Sequence, residues 1–317
     1  SYWMCRGCGV WSEWMRGESS QTLQTCKGYA LVIHYYIRTM KTIINYTPTG
    51  MIPQKSTCPN VPISSAEIVE QVHKAYELGI SMVHVHARKE DGTPTAEAKY
   101  YAPILEGIRD HCPGLVVCTS LSGRNVPDPV ARAEVLSLRP DMGSLTLSSL
   151  NFPKSASLNA PDTIAYLARE MELNGVNPEL EVFDLGMMNY LNYLRRKGQL
   201  KPPYYINIIL GNISGAQNDP ASIAALLRST PDEALVSLGG IGKFQLDTHL
   251  TALAMNLGVR IGLEDNIYFD RKRDKLASNI GLLERLHELI SLAEREHMSH
   301  HEFGKLGFYN FSQPNKS

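Results

Sequence analysis

This sequence has little of what marks a specialised surface or a membrane protein. It has no surplus charge: 31 Lys and Arg stand against 32 Asp and Glu, a formal net charge of −1. No field of one sign therefore draws the whole chain to nucleic acid or to an anionic membrane. No apolar run approaches the roughly 20 residues that span a bilayer, and the best candidate, residues 28–37, is too short and contains His34. Six cysteines in 317 residues are too few for a disulfide framework, and no secretory leader pattern is visible. The expected compartment is the cytoplasm, with reduced thiols. No GxGxxG follows the first strand pattern and no GxxxxGK[ST] occurs, which removes two common nucleotide signatures. What is present is a chain of 43% hydrophobic and 20% charged residues, enough for one large core.

Tryptophan is absent after residue 14, because Trp3, Trp11 and Trp14 all lie at the start. Cys5 and Cys8 form a CxxC there, but a lone CxxC without a second pair is a weak zinc signature. No sustained period of either kind precedes Gly28. Met40 then opens a clean strand pattern. The expectation is that Met40 is the natural start, that residues 1–39 are an N-terminal extension outside the native fold, and that 40–317 form the catalytic domain.

From Met40 the chain alternates short β patterns with amphipathic helices. Strands are expected over 42–46, 82–86, 115–120, 144–148, 180–184, 205–210, 234–238 and 260–264, rich in Ile, Val, Leu and Tyr. Ser64 and Glu67 form a capping box flanked by Ile63 and Ile68. Asn159 is expected to cap a later helix that ends at Gly175. Eight units of roughly 35 residues predict a closed α/β (β/α)8 TIM barrel rather than a doubly wound sheet.

In such a barrel the chemistry sits at the C-terminal ends of the strands. The second strand ends in HVHAR (84–88), and alternation puts His84 and His86 on one face. Two imidazoles at that spacing can hold a divalent ion, zinc being suited to a nitrogen-rich site; two hydrogen-bonded core histidines are the bland alternative. The eighth strand carries Arg260, Gly262 and Glu264 on one face, with Asp265 next. Strands two and eight both flank strand one, so Glu264 can complete a site with His84 and His86. Ser120 and Ser122 end the third strand, and Ser144, Thr146 and Ser148 share a face of the fourth. Glu181 is an acid within the fifth, where burial without a partner is costly. His297, His300 and His301 have spacing that permits one helical face, with a solvated terminal helix the plainer account.

TPTG (47–50), HVHAR (84–88), SLTLSSLNF (144–152), ELEVFDLGM (179–187) and GLEDN (262–266) together resemble the β-keto acid cleavage enzymes, over roughly residues 41–295. The resemblance implies a zinc-dependent barrel enzyme and a homo-oligomer, a tetramer among the options. Its activity would condense a β-keto acid with acetyl-CoA, releasing acetoacetate and a new acyl-CoA. Matched by motif, it implies zinc ligands His84, His86 and Glu264, general base Asp265, a supporting Arg260 and a further acid, Glu181. Ser120 matches a substrate contact, and Ser144 falls about where the family has a threonine; Thr146, Thr49 and Gly50 complete the expected substrate-binding set.

One departure narrows the substrate. The family member acting on 3-keto-5-aminohexanoate reads an amino group with an acid soon after strand one, but no Asp or Glu occurs from Thr47 to Ala66. The expected side group is neutral, apolar or anionic, with Lys55 a candidate reader. A metal-dependent hydrolase or lyase on the same barrel and a non-catalytic binder are the rival readings. Coenzyme A phosphates are expected near Gly239, Gly240 and Gly242, where glycine permits close backbone approach.

Overall fold

The computed structural model describes residues 41–312. The expectations for residues 1–39, including the CxxC, lie outside the described residues. Eight parallel strands close into one barrel: β1 Ile44–Tyr46, β2 Met82–Val85, β3 Val116–Thr119, β4 Met142–Thr146, β5 Asn177–Val182, β6 Tyr205–Leu210, β7 Leu235–Gly240 and β8 Gly258–Ile261. A helix follows each: α1 Ser65–Leu78, α2 Ala98–His111, α3 Pro129–Ala133, α4 Pro161–Leu173, α5 Leu185–Arg196, α6 Pro220–Arg228, α7 Gln245–Ala254 and α8 Asn279–Leu292. This is the expected (β/α)8 barrel. β1 pairs with β8 on one side and β2 on the other, which is what lets those two strands share a site.

Alternation along the strands sets the layers. Val83 and Val85 pack outward with Ile68, Val72, Ile104 and Leu105 of the first two helices, so His84 points into the barrel. At the strand starts Ile43, Met82, Val116, Met142 and Tyr205 pack against Met298, Phe303 and Phe308. The Phe303 and Phe308 rings stack 4.5 Å apart. This C-terminal apolar plug occupies the bottom, and the polar loops gather at the other end.

Local signals explain most element starts. Ser64 and Glu67 form the expected capping box on α1, an arrangement whose loss by Ser→Ala costs about 1 kcal/mol. Asn159 does not cap α4. The cap residue is Ala160, while Asn159 accepts from Arg132 Nη2 at 2.7 Å and donates to Ser148 O and Ser157 Oγ. Pro161 opens the first turn of α4. β4, β5 and β8 start two or three residues before the sequence patterns do. Their first residues (Met142-Gly, Asn177-Pro and Gly258) read as turn formers, and ladder pairing in a closed sheet overrides that preference. The residues expected at the strand tails, among them Ser148, Asp184 and Glu264, therefore lie beyond the strands. Among the described residues, no helix is long and apolar enough to cross a membrane.

Candidate active site

The three donors expected to hold a cation converge. His84 Nε2 lies 3.2 Å from His86 Nε2, which lies 3.2 Å from Glu264 Oε1. His86 Nε2 thus faces a ring nitrogen and a carboxylate at once. It carries a single in-plane position, so it cannot both accept from His84 and donate to Glu264. Glu264 Oε2 is buried without a hydrogen-bond partner. One cation among the three groups resolves both problems, and two imidazoles with one carboxylate suit zinc with positions left open.

The other nitrogen of His84 is fixed from behind. Its Nδ1–H donates to Glu179 Oε2 at 2.6 Å, both side chains being fully buried. That keeps a proton on Nδ1, so that Nε2, once deprotonated, directs its lone pair at the cation position. Asn45 and Asn207 donate to Glu179 Oε1 at 2.5 and 3.0 Å. Burial raises the Glu179 pKa, but the charge and hydrogen bond of His84 outweigh it and hold the carboxyl at about 2. Conversely, burial lowers His84, yet Glu179 and Glu264 lift it to about 9. His84, Cys118 and Glu179 form a second group with donors in close range. There burial pushes the Cys118 thiol well above its usual range, so it stays protonated and donates to Glu179 at 3.1 Å.

Arg260, fully buried on β8, organises the acids. Its Nε donates to Asp265 Oδ2 at 2.8 Å and its Nη2 to Glu264 Oε1 at 2.7 Å. Its Nη1 lies 3.9 Å from both Glu179 and Glu181. Burial would raise Glu264, but Arg260 and the two histidines hold it well below the carboxylate range. Asp265 shifts the other way: burial raises it, and the guanidinium it shares with other acids does not offset that. Glu181 is raised by burial too, and accepts from Thr146 Oγ1 at 2.6 Å.

The remaining expected residues ring the same end. Gly50 adopts φ of +65°, and a Cβ there would come within 2.6 Å of Glu264 Cγ. Its carbonyl accepts from Arg88 Nε and Nη2. Thr49 Oγ1 is buried without a partner, and Ser120 is buried at the end of β3. Ser144 Oγ accepts from the Leu121 N–H at 3.0 Å, bracing the loop that follows Ser120.

Several further groups have partners or places of their own in the fold. Lys55 donates to Glu67 Oε1 at 2.7 Å and to Pro59 O, so the carboxylate of the capping box claims it. Gly239 makes room for Arg260, whose Cδ would sit 3.0 Å from a Cβ there, and the Gly242 N–H is taken by Asp265 O at 2.8 Å. His249, in α7, donates from Nε2 to Arg260 O at 3.0 Å. His297 lies on a short strand paired with Thr42 while the helix starts only at His300, so the three C-terminal histidines do not share a helical face.

Residues 41–306 match the beta-keto acid cleavage enzyme family. The chain belongs to that family. A 3-oxoadipate:acetyl-CoA acetyltransferase of Cupriavidus necator is 36% identical over 78% of this chain and 88% of its own length. A 3-keto-5-aminohexanoate cleavage enzyme of Acetoanaerobium sticklandii is 31% identical over 73% of this chain and 85% of its own. Among solved structures, the complex of ObcA with oxaloacetate superposes with a TM-score of 0.69 at 18% identity, covering 80% of this chain and 68% of that one; this likeness concerns the fold.

In this β-keto acid cleavage enzyme, sequence reasoning missed the layer behind the cation position. Glu179 lies two residues before Glu181, hence on the same inward face of β5, and that spacing is a signal for it. Asn45 in β1 and Asn207 in β6 carried none, because a single Asn within an apolar strand reads as a turn former.

Proposed function

We propose that this β-keto acid cleavage enzyme is zinc-dependent and converts a β-keto acid and acetyl-CoA into acetoacetate and a new acyl-CoA. The observation that carries the reading is the meeting of three cation-holding donors, His84, His86 and Glu264, with the buried Asp265–Arg260 pair at one end of a closed barrel. The relatives' names, an acetyl-CoA transferase of 3-oxoadipate and a keto acid cleavage enzyme, support the same reaction class.

Zinc held by His84, His86 and Glu264 would supply a Lewis acid to the keto and carboxylate oxygens of the substrate. Asp265 is the general base for the acidic proton on the carbon between the substrate's two carbonyl groups. The bond from Arg260 to Oδ2 orients the carboxylate and leaves Oδ1 for the proton. Glu181, held by Thr146, is the second acid of the site. Ser120, Ser144, Thr49 and the Gly50 backbone hold the reacting carboxylate.

The deprotonated carbon attacks the acetyl carbonyl of acetyl-CoA. Coenzyme A moves to the original keto carbon, and the bond between that carbon and the attacking carbon breaks. The acetyl group leaves in acetoacetate, whose carbanion takes back the proton held by Asp265, the rest of the keto acid leaves as its CoA thioester, and no electrons are gained or lost. The lack of any acid from Thr47 to Ala66 supports a side group that is neutral, apolar or anionic.

The test is acetoacetate release from acetyl-CoA with β-keto acids bearing amino, hydroxy, alkyl or carboxylate side groups. Acetoacetate with the matching acyl-CoA from at least one supports the reading. Silence across the panel from zinc-loaded protein would move the site to lyase or hydrolase chemistry.

A further inference from the structure

We infer that Arg124 reads the far end of the substrate, and that this end carries a second carboxylate. The inference rests on the β-keto acid reading above and names the substrate class within it.

Arg124 lies on the loop between β3 and α3, four residues beyond Ser120 and at the same end of the barrel. Its guanidinium carbon sits 3.3 Å from the centroid of the Phe152 ring, which follows β4. Phe152 in turn meets Phe183, at the end of β5, edge to face at 5.8 Å. A guanidinium laid flat on a ring is held by cation–π attraction and stacking, while its N–H donors stay available in its own plane. Among the described residues, those donors make no hydrogen bond or ion pair; only the Arg124 backbone N–H has a partner, Ser122 Oγ. Glu264 and Glu181 lie within electrostatic reach of the side chain, so Arg124 belongs to the neighbourhood of the proposed chemistry.

Four other cations at this end are engaged, while Lys243 and Arg273 rest over the Phe244 and Tyr268 rings. Arg88 donates to the carbonyls of Gly50, Pro53 and Gly92. Arg132 donates to Leu121 O, Leu158 O and Asn159. Arg260 holds Asp265 and Glu264, and Lys55 holds Glu67. A half-buried, pre-oriented guanidinium with no hydrogen-bonded or ion-paired partner among the described residues suits a carboxylate, which it can bind through two parallel N–H bonds. The reacting carboxylate already has the hydroxyls and the metal position. An ammonium side group would meet Arg124 and no compensating acid between Thr47 and Ala66.

The experiment compares 3-oxoadipate with 3-oxohexanoate, which differ only in a terminal carboxylate against a methyl. Wild-type protein, Arg124→Met and Arg124→Lys are each assayed for acetoacetate at saturating and limiting acetyl-CoA. Wild type should prefer 3-oxoadipate. Arg124→Met should collapse that preference by about 10²-fold, through KM for 3-oxoadipate, and Arg124→Lys should regain part of it. An indifferent wild type, an equal loss on both substrates, or a rise confined to the KM for acetyl-CoA would overturn the inference while leaving the reaction class intact. Activity on another member of the panel with none on either of these two acids would likewise overturn the inference, and silence across the whole panel fails the reaction class instead. Calorimetric binding of the same two acids to wild type and Arg124→Met then decides Arg124. A dicarboxylate preference lost in the variant supports the assignment, and equal binding of the two acids contradicts it.

Discussion

His84 Nδ1 and Glu179 Oε2 stand 2.6 Å apart in a part of the barrel that water does not reach. A neutral ring that donates from Nδ1 presents an open lone pair at Nε2, so Glu179 orients the ligand without touching the ion. Glu179→Gln should weaken zinc binding by about 10- to 100-fold. Competition with a chromogenic chelator reads this directly. Unchanged affinity would show that the pair serves packing alone.

The same pair gives opposite pH trends with and without metal. In the metal-free protein the His84 pKa is raised from 6.5 to about 9, so between those values the folded state holds a proton that the unfolded state has lost. The stabilisation is complete below 6.5 and fades as pH rises through 9. Zinc must displace the Nε2 proton, so its affinity should climb about tenfold per pH unit over that interval and then level off. Thermal melts of the apoprotein and zinc titrations across the window should diverge; parallel trends would contradict the assignment.

Asp265→Asn removes the proposed base while keeping its shape. The expected result is a kcat lower by about 10²- to 10⁴-fold, with zinc content unchanged by elemental analysis. A loss of zinc to the same degree would make Asp265 a ligand-supporting residue instead.

Arg260 neutralises buried acids on β5 and on the loop after β8, so its removal strands charge in a dry interior. Arg260→Met should cost about 3–5 kcal/mol of folding stability, measured by denaturant unfolding. A change below about 1 kcal/mol would mean that the acids are solvated or protonated.

Gly50→Ala places a methyl against Glu264 Cγ and forces a side chain into a left-handed backbone. Zinc affinity should fall while circular dichroism stays that of the barrel. Wild-type affinity would show that the loop yields freely.

The barrel was legible because each strand–helix unit announces itself by period, and the cation donors because HVHAR and GLEDN fall at the ends of the two strands that flank β1. Strand starts such as Asn177-Pro were not, since only pairing in the closed sheet makes them extended. Lys55 looked free in the sequence because its partner, Glu67, is also the capping residue of α1. Arg124 was invisible because nothing in its local sequence says that Phe152, 28 residues on, forms its seat. Sequence period shows which face a residue takes; it does not show which donors on that face are already spent.

The central claim is that this site moves coenzyme A between two carbonyl carbons. Zinc-loaded protein, a β-keto acid and acetyl-CoA carrying carbon-13 in both acetyl carbons would be followed by NMR. The account predicts label at C3 and C4 of acetoacetate, with an equal amount of unlabelled new acyl-CoA. Label released as free acetate, or acetoacetate without its matching acyl-CoA, would contradict it.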